Sequence, residues 1–179
     1  QLPGAHAMVL SDYAKGVLTE SCVRALIGHA ARAGVPVFID PKARDAARYR
    51  GAALLKPNRL ELGALTNTPI PDHAATLAAA GRLLETLDGT ALLVTEGAEG
   101  MTLLRPGHPP VSFTGLTRTL YDVTGAGDTV IAALALALGA GCGWIDAAHL
   151  ANHAAARVVQ KLGTASCTAE ELLASLTAT

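Results

Sequence analysis

The sequence predicts an α/β fold in which a mostly parallel sheet is covered by helices. Residues 7–12 form a short apolar run that ends in polar side chains, as a buried strand does. Residues 19–33 carry apolar side chains at helical spacing and are followed by a glycine and a proline, and residues 37–40 are again strongly apolar. A strand, a helix and a second strand in this order form a unit that pairs its strands in parallel.

The alternation continues along the chain. A short strand is predicted at 53–55, and helices are predicted at 59–65 and 72–87. From residue 91 the pattern changes, because the apolar segments 91–95 and 101–104 flank a glycine-containing turn that predicts an antiparallel hairpin. The remaining predicted helices are 127–138, 145–162 and 169–176. One α/β domain with helices packed on its sheet follows from this order.

The composition limits the classes of function. The chain has 179 residues, half of them apolar, and a net charge of −1 without a broad basic patch, so we expect no nucleic-acid or membrane partner. Its longest apolar run, around 130–140, is well below the ~20 residues needed to cross a bilayer as a helix. Three widely spaced cysteines without a Cys-x-x-Cys pair indicate free thiols in a reducing compartment, and we expect a cytoplasmic location. A first residue other than Met, without a signal-peptide pattern, favours a truncated sequence.

The most informative segment runs from Tyr121 to Thr129 and enters an apolar helix. Gly125 and Gly127 let the backbone turn tightly, and a helix N-terminus offers unpaired N–H groups and positive potential to an anion. Asp128 falls in the first turn, where its carboxylate can accept a proton from a hydroxyl held beside that anion. Taken alone, the pattern is more typical of a plain glycine turn with an acidic residue that suits the helix dipole.

Other polar residues also have ordinary structural explanations. Asn58 and Glu61 have the spacing of a helix N-cap and its capping box, and on the residues alone that explanation is favoured. Asp12, Lys15 and Lys42 follow probable strand ends, where an open α/β sheet places its ligands. Solvated surface charges are the alternative for all three.

Two further patterns weigh against other enzyme classes. His149 and His153 have a spacing at which two imidazoles can share a metal, but no glutamate completes a His-Glu-x-x-His motif. We expect both to be structural or exposed. The chain also has no Gly-x-x-x-x-Gly-Lys-[Ser/Thr] segment, which argues against a P-loop enzyme.

The segment Asp122-Val-Thr-Gly-Ala-Gly-Asp-Thr129 resembles the C-terminal signature of the ribokinase-like, phosphofructokinase-B type carbohydrate kinases. The resemblance implies a ribokinase-like sandwich, an α/β fold whose mostly parallel central sheet has helices on both faces and a terminal β-hairpin. It also implies that Asp128 is the catalytic base and that Gly125, Ala126 and Gly127 form an anion hole. ATP and Mg²⁺ are the implied cofactors.

A second segment, Lys56-Pro-Asn-Arg-Leu-Glu61, resembles the Asn-x-x-Glu motif with which this family organises magnesium and the phosphates of ATP. The resemblance implies ATP binding by Asn58, Arg59, Leu60 and Glu61. It also implies that Glu61 acts on Mg²⁺ indirectly, through water.

Two more regions resemble the nucleotide site of the family. Residues 94–100 resemble the strand and turn beside the nucleotide, which implies that Thr95 and Gly97 contact ATP. Asn152 lies on the predicted helix that corresponds to the family's border of the adenine pocket, which implies a third contact. A solvated position is the alternative for Asn152.

Within the family, the chain resembles the kinases that phosphorylate D-glycero-β-D-manno-heptose 7-phosphate. The resemblance implies a sugar phosphate as the small-molecule partner and ATP-dependent phosphorylation of its anomeric hydroxyl to the 1,7-bisphosphate, on the route to ADP-heptose and lipopolysaccharide core. It also implies that Lys42 contacts substrate or phosphate. Lys56 departs from the pattern, since a threonine is common before Pro-Asn. The matching blocks are residues 9–16, 37–42, 48–52, 92–95 with 100–101, 121–129 and 161–164.

Kinases of this family have a longer N-terminal half with a small β lid. The resemblance therefore implies that residues 1–179 are the C-terminal, nucleotide-binding and catalytic part of a kinase domain, with the N-terminal part and lid missing. For the full-length protein we expect a homodimer. Three alternatives stay open: another ribokinase-like sugar kinase, a nucleotide-binding remnant without activity, and a non-catalytic scaffold.

Overall fold

One mixed sheet organises the described part of the chain, and its strands lie side by side in their sequence order. The computed structural model describes residues 2, 4–42, 44–116 and 125–177. The first four strands pair in parallel, and the last three form an antiparallel meander. The strands are β1 (Met8–Ser11), β2 (Val37–Asp40), β3 (Leu54–Leu55), β4 (Ala91–Thr95), β5 (Gly100–Leu104) and β6 (Val111–Thr114).

Side-chain caps fix where several helices begin. Thr19 accepts a hydrogen bond from the N–H of Cys22 at 3.2 Å, and Asp72 accepts one from the N–H of Ala75 at 2.8 Å. Such caps satisfy backbone donors that have no partner within the helix. The helices are α1 (Glu20–Arg32), α2 (Arg59–Thr66), α3 (His73–Thr86), α4 (Ala126–Gly139), α5 (Trp144–Val158) and α6 (Ala169–Thr177), with short 3₁₀ turns at Ala46–Tyr49 and Gly97–Glu99.

Alternation along the strands gives the sheet two apolar faces. In β2, Val37 and Ile39 belong to one core and Phe38 belongs to the other. Helix α2 buries Leu62 on the first face, and α4 buries Leu134 on the second. Helices thus pack on both faces of the sheet, and open α/β sheets of this kind bind ligands beyond the carboxyl ends of their parallel strands.

The predicted fold class is confirmed: the sheet is mostly parallel, carries helices on both faces and ends in an antiparallel hairpin. Helix α5 ends at Val158 rather than at Leu162. Leu162 is 84% exposed, so a longer helix would bury no further apolar side chain there. Strand β6 is not among the predicted elements: it has only four residues and directly follows a proline-rich loop, although Val111 and Phe113 alternate with polar side chains.

Part of the glycine-rich segment, residues 121–124, lies outside the described residues, as do residues 117–120 before it. Among the helices of the described ranges, none combines the length and apolar character needed to cross a bilayer.

Candidate active site

A cleft of about 320 Å³ lies where the carboxyl ends of β2 and β4 meet the first turn of α4 and one side of α5. Open α/β sheets bind their ligands at this edge. The fold therefore joins motifs that are far apart in sequence. The lining includes these residues predicted to bind nucleotide or phosphate: Asn58, Glu61, Thr95, Gly97, Ala126, Gly127 and Asn152.

The Asn-x-x-Glu segment forms a capping box at the start of α2. The Oδ1 atom of Asn58 accepts a bond from the N–H of Glu61, and Oε2 of Glu61 accepts one from the N–H of Asn58, each at 2.9 Å. The structural explanation of this pair is therefore correct, and its role toward ATP stays a prediction. The backbone N–H of Thr95 donates to the carbonyl of Pro57 at 3.0 Å, which brings the end of β4 beside the box.

Lys42 contacts that capping box through Glu61. Its Nζ donates to Oε1 of Glu61 at 2.8 Å, and this bond raises the pKa of Lys42. Lys42 is exposed, and it does not line the cleft. A carboxylate has about four lone-pair sites, so Glu61 keeps acceptor capacity beyond its two protein donors.

Asp128 lies in the first turn of α4, beside the cleft rather than in its lining. The helix follows Gly125, whose φ of 81° is in the left-handed region that glycine adopts without strain. A glycine at this position supplies no side-chain cap, so the helix N–H groups can serve an anion. Gly125 and Asp128 line a neighbouring depression of about 780 Å³ on the other side of the turn. Asp128 thus lines a cavity that adjoins the cleft at the first turn of α4.

A tyrosine from the loop after β1 contacts the Asp128 carboxylate. The hydroxyl of Tyr13 lies 3.2 Å from each carboxylate oxygen and donates to them, and the charge of Asp128 raises the pKa of Tyr13. The loop is fixed by Asp12, whose carboxylate accepts from the N–H of Ala14 at 2.8 Å and from the hydroxyl of Tyr49 at 2.9 Å. Asp12 is buried, so the alternative of a solvated surface charge is wrong for it.

Sequence reasoning missed two charged residues of the cleft, Asp40 and Lys56. Lys56 is 2% exposed, and its Nζ lies 3.1 Å from Oδ2 of Asp40. Burial raises the pKa of Asp40, and the ammonium of Lys56 partly offsets that rise. Both residues stand at or just beyond a strand end, and that position is the sequence signal that could have found them.

The far wall of the cleft is formed by the β5–β6 hairpin and α5. A Cβ atom on Gly100 would collide with the carbonyl oxygen of Phe113, and one on Gly115 would collide with that of Ala98, so both glycines allow a close backbone approach. The side-chain amide of Asn152 donates to the carbonyl of Thr114 at 2.9 Å. Asn152 is buried, so the solvated alternative for this residue is wrong, and its amide oxygen remains as an acceptor beside the cleft.

Arg59 and Leu60 lie outside the lining of the cleft. The guanidinium of Arg59 donates to Glu96 and to Glu99, each at 2.9 Å. Burial alone would raise the pKa of Glu96, but hydrogen bonds from Thr102, His73 and Arg59 outweigh it, and the pKa is lowered. Leu60 is 86% exposed. Their predicted contacts with ATP stay predictions, although the ion pairs give Arg59 a structural role.

The two histidines of α5 pack on each other. Their rings are 4.6 Å apart in an edge-on arrangement, and Nδ1 of His153 lies 2.8 Å from the hydroxyl of Ser175 on α6. His153 is buried. The described residues hold no group of three or more His, Cys, Asp or Glu side chains placed to bind a metal.

Comparison with known proteins gives consistent results for sequence and fold. Residues 3–171 match the model of the pfkB family carbohydrate kinases. The chain is 49% identical over 175 residues to the bifunctional protein HldE of Caulobacter vibrioides, covering 97% of this chain and 36% of that protein. With HldE of Geobacter sulfurreducens it shares 44% identity over 171 residues, covering 96% of this chain and 35% of the relative. The chain thus spans about a third of the length of these curated relatives.

Solved structures with the same fold include Arabidopsis thaliana ribokinase in complex with ribose and ATP. That structure superposes with a TM-score of 0.86 at 25% identity and covers 98% of this chain and 57% of the ribokinase chain. Phosphofructokinase-2 of Escherichia coli in complex with potassium gives a TM-score of 0.84 at 18% identity, covering 96% of this chain and 56% of that one. At 18% identity, the comparison with phosphofructokinase-2 shows only that the two proteins share a fold.

Proposed function

The chain belongs to the pfkB family of carbohydrate kinases, and on that premise we propose that it supplies the nucleotide-binding and catalytic part of an enzyme that phosphorylates a sugar with ATP. The observation that carries the proposal is the convergence of three separate motifs on one cleft. The Asn58–Glu61 box, the end of β4 and the first turn of α4 all face it. A structural explanation for each motif alone does not account for their meeting in one cavity.

The chemistry of the cleft fits a nucleoside triphosphate. Met101, Leu116 and Val159 supply apolar surface on the side of the hairpin and α5, which suits the base. Ala126 and Gly127, in the first turn of α4, lie where a helix N-terminus favours the phosphates. We place ATP along this line, with its terminal phosphate beside Asp128.

The carboxylates of the cleft fit a magnesium ion held mostly by water and phosphate. Mg²⁺ in phosphoryl-transfer sites uses one or two carboxylates and keeps several waters. The lining supplies two carboxylates, Asp40 and Glu61. Glu61 would hold the ion through water, and Asp40 is the second candidate. When bound with ATP, the ion would neutralise part of the phosphate charge.

We assign the proton transfer to Asp128. The acceptor hydroxyl gives its proton to the carboxylate while its oxygen forms a bond to the γ-phosphorus. The bond from that phosphorus to the bridging oxygen breaks, and ADP leaves with the electron pair. The N–H groups at the start of α4 stabilise charge on the transferred group, and Gly125 provides the turn that directs them.

For the acceptor we propose D-glycero-β-D-manno-heptose 7-phosphate, with transfer to its anomeric hydroxyl. Two facts support this choice: the blocks that resemble heptose kinases are spread over the chain, and relatives named HldE share 44% to 49% identity with it. Lys42, exposed beside Glu61, is proposed as a contact for a phosphate of either substrate. A homodimeric complete protein and a cytoplasmic location are part of the same proposal.

A coupled assay of ADP release tests the function. It is made on the longest native protein that contains this chain, with heptose 7-phosphate, ribose and fructose 6-phosphate as acceptors. We expect ADP release with the heptose and little with the other two. A preference for ribose or fructose 6-phosphate would replace the heptose with another sugar, and no release with any acceptor would favour a nucleotide-binding remnant.

A further inference from the structure

Lys56 is a buried lysine with a single acceptor in the described part of the chain. Its side chain is 3% exposed, and Oδ2 of Asp40, at 3.1 Å, is that acceptor. An ammonium group has three N–H donors, and a single carboxylate oxygen can accept from only part of that set. The remaining donors of Lys56 are therefore available to a ligand that enters the cleft, which this residue lines.

Gly127 keeps the approach to this ammonium open. A Cβ atom at position 127 would lie 3.2 Å from Nζ of Lys56 and 3.7 Å from Oδ2 of Asp40. The φ of Gly127 is not positive, so the helix itself does not need glycine here. What the glycine provides is space between the first turn of α4 and the Lys56–Asp40 pair.

The ammonium and the helix N-terminus thus face the same point from two directions. Asp128, the proposed base, is the next residue after Gly127. The group that must lie within reach of both the base and this turn is the transferring phosphoryl group. A lysine ammonium is a point charge suited to phosphate.

We propose that Lys56 binds the γ-phosphoryl group of ATP from beneath the first turn of α4, with Asp40 as the counter-charge that keeps its ammonium buried and oriented. The inference rests on the proposed function, since it assigns a role within the same site. It predicts that Lys56 distinguishes ATP from ADP, because ADP has no γ-phosphate to reach it. An ion pair that only stabilises the fold would treat the two nucleotides alike.

Two variants distinguish a contact between Lys56 and the phosphate from an effect on folding and from an effect on the charge of the cleft. Lys56→Met removes the ammonium but leaves the carboxylate of Asp40 partly buried without a partner, which destabilises proteins. The double variant Asp40→Asn with Lys56→Met removes both charges, so the net charge of the cleft is unchanged. Replacing a buried ion pair by neutral side chains is often tolerated, and this variant decides the question if the single one fails to fold. Lys161→Met is the matched control, because Lys161 pairs with Glu171 away from the cleft.

The measurement is calorimetric titration of the 179-residue chain with ATP and with ADP, both in EDTA so that the loss of Asp40 as a candidate magnesium ligand does not enter the comparison, with melting curves for each variant. We expect the Kd for ATP to rise at least tenfold in both Lys56 variants, while the Kd for ADP changes less than threefold. Lys161→Met should leave both values unchanged. If the folded double variant loses affinity for ATP and for ADP equally, the role assigned to Lys56 is wrong, while the proposed function is unaffected. A wild-type chain that binds neither nucleotide would overturn the proposed function and this inference together.

Discussion

Replacement of Glu61 by glutamine tests whether this residue does more than cap a helix. Its Oε2 atom caps α2 through the N–H of Asn58, and its Oε1 atom accepts from Lys42 at 2.8 Å. The glutamine oxygen can still accept the capping bond, whereas its amide cannot accept from the ammonium of Lys42. We therefore expect the fold to survive and the charge presented to the cleft to be lost.

The two consequences have different magnitudes. Lys42 is about half exposed, at 52%, and exposed ion pairs contribute roughly 0.2–1 kcal/mol to the free energy of unfolding. For a chain of this size, 1 kcal/mol shifts the Tm by about 2–4 °C. Loss of a residue that orients a metal through an outer shell costs about 10- to 100-fold in metal affinity. The expected loss in magnesium-dependent ATP binding thus exceeds what the change in stability could explain.

The assay is a titration with ATP in the presence of Mg²⁺ and again in EDTA. Glu61→Gln should weaken binding about tenfold or more with Mg²⁺ and change it little in EDTA. Glu171→Gln is a close control, because Glu171 also completes a capping box, with Thr168, and also accepts from a lysine, Lys161. Equal ATP affinities for Glu61→Gln and wild type under both conditions would refute the metal role and leave Glu61 as a cap.

Three further predictions concern the fold and the cleft. The pKa of Glu96 is lowered in the folded state, so its contribution to stability is present above its ordinary pKa and is lost as the pH falls through the folded value. In a plot of the free energy of unfolding against pH, Glu96→Gln should therefore have a shallower slope than wild type below about pH 4.5. Parallel plots for the two proteins would contradict this. Leu134 is fully buried, so Leu134→Ala should lower the free energy of unfolding by about 2–5 kcal/mol in urea melts, and a change below about 1 kcal/mol would contradict its place in the core. Gly127→Ala places a methyl group 3.2 Å from Nζ of Lys56, and nucleotide titration should show weaker binding with a Tm near that of wild type, whereas unchanged binding would show that the pair can move aside.

Much of the fold could be predicted from the sequence, because the helices and the longer strands follow from local periodicity. The segment of α3 has apolar side chains at helical spacing and an aspartate, Asp72, where its cap is needed. Strand β6 escapes such reasoning, since its place in the sheet depends on pairing with β5 rather than on its own four residues. The end of α5 depends on what the helix can bury, and periodicity alone does not contain that information.

The candidate site could be predicted only in part. The motif from Asn58 to Glu61 is contiguous, yet on a helix only residues three or four apart share a face, so Arg59 and Leu60 do not line the cleft with their neighbours. Asp40 and Lys56 become recognisable as a pair only when β2 and β3 lie side by side. Lys56 stands out in the sequence merely as a departure from a resemblance. Its burial and its partner are properties of the folded chain.

The central claim is that Asp128 is the base of a phosphoryl transfer, and turnover of Asp128→Asn tests it most directly. Asparagine keeps the shape of the side chain and an oxygen that can still accept from the hydroxyl of Tyr13, but it cannot take the proton. Measured on the native protein that contains this chain, turnover should fall by about 10²- to 10⁴-fold, with the ATP Kd and the Tm nearly unchanged. If Asp128 serves only the helix dipole, the variant loses roughly 0.3–1 kcal/mol of stability, and turnover within about threefold of wild type would contradict the account.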